Sequence, residues 1–296
     1  MRQRAAAMPA HGHEEPIHFA AVRQGGREVR LEYRWVGSRD AAAPLLVFLH
    51  EGLGSASMWK DFPARLCEAG GFRGLVYSRA GYGRSTPRRH DERWRPGYMH
   101  EQAREVLPGF LAAAGVDVAG RPPWLFGHSD GASIALIHAA TFPAAVSGLV
   151  LLAPHIFVED LSVHSIAQAK VAYRDTDLRS RLARHHADVD SAFWGWNDVW
   201  LDPAFRRWNI VDLLPSIPVP VLAVQGHNDE YGTMAQVDDL AARVPQASVL
   251  KLDDCAHSPH RDRPEAVIAA TIGFISRHGA AKPGNMQHPP RREEIP

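Results

Sequence analysis

The sequence predicts an α/β protein built on a doubly wound, mainly parallel sheet, with a helical segment inserted late in the chain. Three observations carry this expectation. Short apolar or β-branched runs recur between segments of helical period, most of these runs are continuously apolar, and the pattern lapses once, between His155 and Asp212. Strands that are apolar on both faces must be covered on both faces, which is the environment of a parallel sheet between helices. The length of 296 residues, 45% hydrophobic and 22% charged, accommodates one large domain with an insertion.

Residues 1–16 and 279–296 are rich in Pro, Gly and charge and lack periodicity, so both are expected to be disordered tails. Residues 17–36 alternate around Gly25 and Gly26, which predicts an antiparallel edge hairpin. Core strands are expected at residues 45–49, 74–77, 124–126, 149–152, 219–224 and 248–252. The core would then comprise residues 17–155 and 213–278, and residues 156–212 would form a helical cap. That cap holds Trp194, Trp196, Trp200 and Trp208 together with Phe193 and Phe205. These rings either pack the cap on the core or line an apolar pocket, and Trp194, Trp196 and Trp200 are candidate substrate contacts.

Thirty-three Lys and Arg residues balance 33 Asp and Glu, which argues against a nucleic-acid partner or a polybasic membrane-surface role. No apolar run reaches the ~18 residues of a membrane span, and residues 1–16 lack the apolar centre of a signal peptide. Cys67 and Cys255 are the only cysteines, too few for a disulfide framework. A cytoplasmic protein without a membrane partner is expected; nothing in the sequence speaks to oligomeric state. The 17 histidines are the compositional oddity. None lies in an H-E-x-x-H pattern, and the adjacent pair His185 and His186 would face different sides of a helix. No metal and no cofactor is expected.

The strongest local signal is Gly127-His128-Ser129-Asp130-Gly131, set between the strand-like residues 124–126 and a helix-like run. It fits G-x-S-x-G in the context that motif requires. A sharp strand-to-helix turn holds the serine in a strained conformation, and only small residues at 127 and 131 avoid a clash across it. Ser129 would stand at a helix N-terminus, where backbone N–H groups favour developing negative charge.

A serine hydroxyl needs a base, and the base needs an orienting carboxylate. Asp229 follows the strand at residues 219–224, and His257 follows the strand at residues 248–252, giving the order Ser, Asp, His. Glu230, Asp253 and Asp254 compete as the acid and His260 as the base. An oxyanion hole needs two backbone donors. One would be the N–H of Asp130, the other that of Gly52 or its neighbour Leu53, in the loop His50-Glu51-Gly52-Leu53-Gly54-Ser55. His50 and His128 flank this pocket as braces or substrate contacts.

These motifs together resemble the α/β-hydrolase superfamily over roughly residues 22–278. The resemblance rests on the loop HEGLGS with Trp59 after it, the turn SRAGYGRS at residues 78–85, the elbow GHSDG, the acid loop GHND and the histidine loop CAHSPH. It implies the α/β-hydrolase fold, an eight-stranded sheet and a cap after the sixth strand. It further implies a serine hydrolase acting on a small carboxylic ester or thioester through an acyl-enzyme on Ser129. Hydrolysis of a carbon–carbon bond or an enol-lactone, an aminopeptidase, and a non-catalytic ligand sensor are the alternatives. A serine nucleophile separates the chain from the branches that use aspartate.

Glu51 and Asp130 depart from the family pattern, since most relatives have His-Gly where this chain has His50-Glu51. Two carboxylates aimed at an anion-stabilising pocket would weaken it by Coulomb repulsion. The plain expectation is that Asp130 serves the helix N-terminus and that Glu51 pairs with Arg79 or Arg84. The sharper one is that these acids hold a cationic substrate group.

Overall fold

The computed structural model describes residues 16–279. Apart from Pro16 and Gly279, the two expected tails lie outside the described residues. Strands β1 (His18–Gln24) and β2 (Arg27–Gly37) form the edge hairpin. It turns through Gly25 and Gly26 at φ 55° and 80°, a region open to glycine because it lacks a Cβ. The other strands are β3 (Leu45–Leu49), β4 (Arg73–Tyr77), β5 (Trp124–His128), β6 (Gly148–Leu152), β7 (Val221–Gly226) and β8 (Ala247–Leu252). They complete an eight-stranded sheet in the order β1-β2-β4-β3-β5-β6-β7-β8. Only β1–β2 and β2–β4 pair antiparallel. Strand β7 starts at Val221 rather than at residue 219, because Pro220 has no amide to give to a ladder.

Helices α1 (Phe62–Gly70), α2 (Tyr98–Glu101), α3 (Leu107–Ala113) and α4 (Asp130–Thr141) follow the first strands, with a π-helical turn over Gln102–Val106. Between β6 and β7 lie α5 (Asp160–Asp175), α6 (Leu178–Leu182) and α7 (Val189–Trp200). The chain then runs through α8 (Ala235–Arg243), α9 (Pro259–Asp262) and α10 (Pro264–His278). The side chains of the central strands alternate between two apolar layers, as the pleat requires. Leu46, Phe48, Val76, Phe126, Val150 and Val224 pack on one side with residues of α1 and α10. Val47, Leu49, Leu75, Leu125, Leu151 and Ala223 pack on the other with residues of α3, α4 and α8. Both faces are covered, which is why the central strands read as uninterrupted apolar runs.

Residues 156–212 contain no strand beyond a single antiparallel bridge between Phe157 and Asn209. Helix α7 is capped by the Asp188 side chain, which accepts from the Ser191 amide at 2.9 Å. Its buried stripe is Phe193, Trp196 and Trp200, spaced three and four residues apart. Phe193 stacks on Tyr173 of α5 at 3.7 Å, and Phe205 sits between Trp200 and Trp208 at 4.8 and 5.5 Å. Most of the aromatics of residues 156–212 therefore pack on one another. No helix among the described residues is long and apolar enough to cross a membrane.

Candidate active site

Strand β5 turns into α4 at Ser129, whose backbone is held at φ 52° and ψ −118°. A non-glycine residue there is strained, and the surrounding packing must enforce it. A Cβ on Gly131 would stand 2.0 Å from the Leu49 carbonyl oxygen, and one on Gly127 would stand 2.5 Å from that of Gly131. Backbone thus crosses backbone at both positions, and the expected reason for the two glycines is the one found. The turn lifts Ser129 to the C-terminal edge of the sheet.

Its partners come from the ends of β7 and β8. His257 Nε2 lies 3.0 Å from Ser129 Oγ, and His257 Nδ1 lies 2.8 and 2.9 Å from the two carboxylate oxygens of Asp229. With Nδ1–H donating to Asp229, Nε2 is left as the acceptor for the serine proton. Asp229 is itself fixed by the side-chain amide of Gln225 at 2.7 Å and by the amides of Tyr231 and Gly232 at 2.8 and 3.2 Å. Burial alone would depress the His257 imidazole, but the charge and hydrogen bond of Asp229, with Glu230 and Glu51 behind them, carry it above its usual value. Asp229 moves the other way: burial would raise it, yet His257 and the Tyr231 amide hold it below the ordinary carboxylate range.

The competing residues do not take these positions, although Glu230 lines the same cavity. His260 is buried against Trp59 and His128, at ring distances of 4.7 and 4.9 Å. Asp254 pairs with Arg263 at 2.9 Å, and Asp253 faces His227 at 3.8 Å. Glu230 is exposed and accepts from the His257 amide at 3.2 Å.

The loop after β3 approaches Ser129 from the opposite side. The Glu51 carbonyl accepts from the Gly54 amide at 3.1 Å, which makes Gly52 and Leu53 the central residues of a tight turn. Among the described residues, the amides of Gly52 and Leu53 make no hydrogen bond. The close neighbour of Gly52 is a side chain of α7: a Cβ there would meet Trp196 Nε1 at 2.2 Å. Leu53 is steadied by His186, which bonds the Leu53 carbonyl at 3.1 Å through Nε2 and accepts from the Gly83 amide at 3.0 Å through Nδ1.

Glu51 is not paired as the simplest reading has it, and Asp130, at the start of α4 as expected, has further partners. Arg79 reaches the backbone carbonyl of Glu51, not its carboxylate, and Arg84 is exposed. The Glu51 carboxylate faces His128 Nδ1 at 3.5 Å and Arg261 at 3.7 Å. Burial favours its protonated form, but those two side chains outweigh it and hold the carboxyl well below its usual range. Asp130 is fully buried and does more than favour a helix terminus. It accepts from the Tyr98 hydroxyl at 2.5 Å and the Trp200 indole at 3.3 Å, with Arg79 at 3.8 Å. Burial raises its carboxyl above the ordinary value, and Arg79 and these donors offset that only in part.

A cavity of about 160 Å³ opens on Ser129 and His257, walled by Trp196, Trp200, Ile166, His155 and Tyr231. Glu51, Gly52, Leu53 and His128 also line it. Two expected substrate contacts do not. His50 is wholly buried behind the loop, where Nδ1–H donates to the Glu51 carbonyl at 2.7 Å and Nε2 accepts from the Arg79 amide at 3.0 Å. Trp194 lies outside the inward stripe of α7, with Lys170 and Arg174 over its ring at 5.7 and 5.4 Å. Ile166, His155 and Tyr231 carry no motif and are found only through the fold. Burial and the neighbouring His257 charge depress His155 to about 3, so it meets the cavity as a neutral imidazole. Among the described residues no cluster of three potential metal ligands occurs.

The model of the Alpha/beta hydrolase family matches residues 46–270, a span that runs from β3 into α10 and contains every residue placed around the cavity. The chain belongs to this family. Among proteins of known role, the mouse sn-1-specific diacylglycerol lipase ABHD11 is 23% identical, covering 88% of this hydrolase and 92% of the lipase. Among solved structures, a thermophilic esterase from Thermogutta terrifontis superposes with a TM-score of 0.69 at 18% identity, over 89% of this chain and 99% of the esterase. An enol-lactonase from Burkholderia xenovorans gives 0.66 at 20% identity, over 88% and 100%. At these identities the structural likeness speaks to the fold of this hydrolase.

Proposed function

We propose that this alpha/beta hydrolase cleaves a small carboxylic ester or thioester through an acyl-enzyme on Ser129. The observation that carries the reading is the unbroken line from Ser129 Oγ through His257 to Asp229, opening onto a cavity walled in part by Trp196, Trp200 and Ile166. His257 Nε2 takes the serine proton as Oγ attacks the carbonyl carbon. The amides of Gly52 and Asp130 receive the tetrahedral oxyanion, and His257 returns the proton to the leaving alcohol or thiol. Water then repeats the sequence on the acyl-enzyme and releases the acid. Asp229 holds the imidazole in the tautomer that this requires. Residues 156–212 act as the cap, bringing Trp196 and Trp200 over the reacting centre.

The acids do not favour a cationic substrate. Both carboxylates are already engaged by side chains of the protein, Glu51 by His128 and Arg261 and Asp130 by Tyr98, Trp200 and Arg79. An aminopeptidase role thus loses the feature that suggested it.

Cavity size sets the expected acyl group. About 160 Å³ beside Ser129, walled in part by Trp196, Trp200 and Ile166, is expected to suit short or single-ring acyl groups best. A panel of p-nitrophenyl esters and matching thioesters, together with an enol-lactone and a ring-cleavage dienone, tests this. The expected result is hydrolysis of acetate to butyrate and benzoate esters, with kcat/KM at least roughly tenfold lower for the octanoate. Turnover of the dienone alone would replace the ester reading with carbon–carbon bond hydrolysis.

A further inference from the structure

The turn that follows β4 carries an arginine with no role in proton transfer, yet it is among the most deeply buried side chains of the molecule. Arg79 is 1% exposed. Its guanidinium donates to the His50 carbonyl through Nη1 and to the Glu51 carbonyl through Nη2 at 3.0 Å, and Nη2 stands 3.8 Å from the Asp130 carboxylate. Its own backbone amide bonds His50 Nε2 at 3.0 Å. The face of the guanidinium is covered by the Tyr82 ring at 4.9 Å.

These contacts bear on the two amides that face the reacting carbonyl. In a trans peptide the C=O and the following N–H point in opposite directions. The Glu51 carbonyl is held by Arg79 Nη2, by His50 Nδ1 and by the Gly54 amide at 3.0, 2.7 and 3.1 Å. The Gly52 N–H, in the same peptide unit, is thereby aimed away from Arg79, on the side where Gly52 lines the cavity with Ser129. The second amide belongs to Asp130, whose side chain is held by the same guanidinium, by Tyr98 and by Trp200. The carbonyl of its own peptide unit, that of Ser129, is held in turn by the amides of Ala132 and Ser133 at 2.8 and 3.1 Å.

We infer that Arg79 is the positioning residue of the oxyanion hole: one buried guanidinium joins the loop that presents the Gly52 donor to the residue that presents the other. The inference rests on the reading that the amides of Gly52 and Asp130 hold the oxyanion. Arginine suits the task and lysine does not, because a planar fork donates to two carbonyls and a carboxylate in one fixed geometry. The charge serves as well as the shape. Without Arg79 the Asp130 carboxylate would sit uncompensated beside a developing oxyanion, and Coulomb repulsion would oppose the transition state.

The test compares p-nitrophenyl acetate with its thiono analogue, in which sulfur replaces the carbonyl oxygen and takes hydrogen bonds poorly, in wild type, Arg79→Lys, Arg79→Gln and Tyr98→Phe. Donors displaced by a fraction of an ångström lose much of their effect, so the Arg79 variants are expected to lose about 10- to 100-fold in kcat with KM within about threefold. The oxo/thiono rate ratio should be large in wild type and collapse towards that of the uncatalysed reaction in both Arg79 variants. Tyr98→Phe, which keeps its volume and removes one donor to Asp130, should lower the ratio by a smaller factor, and it carries the test if the Arg79 variants do not fold. Equal losses on both esters, or a lower Tm with the ratio intact, would overturn the role of Arg79. A wild-type protein that turns over both esters at similar rates would instead remove the oxyanion-hole reading itself.

Discussion

Replacing Ser129 by alanine is expected to lower ester turnover by about 10⁴- to 10⁶-fold while leaving the folded protein intact. The size follows from the position of Oγ, which is the one atom aligned both with the proton acceptor at 3.0 Å and with the cavity. Stability should change little. The strained φ of 52° is imposed by the Gly127 and Gly131 crossings, and alanine bears the same Cβ as serine. The backbone amide of residue 129 keeps its bond to the Leu152 carbonyl at 2.9 Å. Circular dichroism and thermal unfolding check the fold, and p-nitrophenyl acetate hydrolysis checks the rate. Activity near that of wild type would remove Ser129 from the reaction.

Asp229→Asn is the second large effect. The carboxylate fixes the tautomer of His257, and an amide in its place donates to Nδ1 and leaves a hydrogen on Nε2, facing the serine. A loss of about 10³- to 10⁴-fold in kcat is expected. The pH profile gives an independent reading. His257 must be neutral to act as a base, so activity falls as pH falls through its pKa. In wild type that value is raised, which places the acid limb of kcat/KM above about 6.5. Asparagine removes the main charge and the hydrogen bond that oppose burial, so the limb of the residual activity should move to lower pH. An unchanged limb would show that another group titrates there.

The meeting of Ser129, His257 and Asp229 was legible because the position of each depends on local chain geometry. Two glycines flank the serine at the crossing of β5, β3 and α4, and Asp229 and His257 each follow a strand by a few residues. The central strands were legible because burial on both faces leaves no room for polar side chains. Trp194 could have been separated from Trp196 and Trp200 by helical spacing, since Phe193, Trp196 and Trp200 share one face of α7 and Trp194 is turned roughly 100° away. The fates of Glu51, His50 and Arg79 were not readable. They depend on the loop after β3 meeting the turn after β4, and the partners of Asp130 come from α2 and α7, 32 and 70 residues away along the chain. No local pattern encodes a buried guanidinium between two loops. His155 and Tyr231 reach the cavity for the same reason, through packing and not through a motif.

The most direct measurement of the central claim is labelling with a fluorophosphonate, which forms a phosphorus–oxygen bond to an activated serine with loss of fluoride. Intact-mass analysis followed by peptide mapping should show a single adduct on Ser129. The adduct should be slowed by a competing short-chain ester and absent in Ser129→Ala. A protein that hydrolyses esters while Ser129 stays unlabelled, or that carries its label on another residue, would contradict the account.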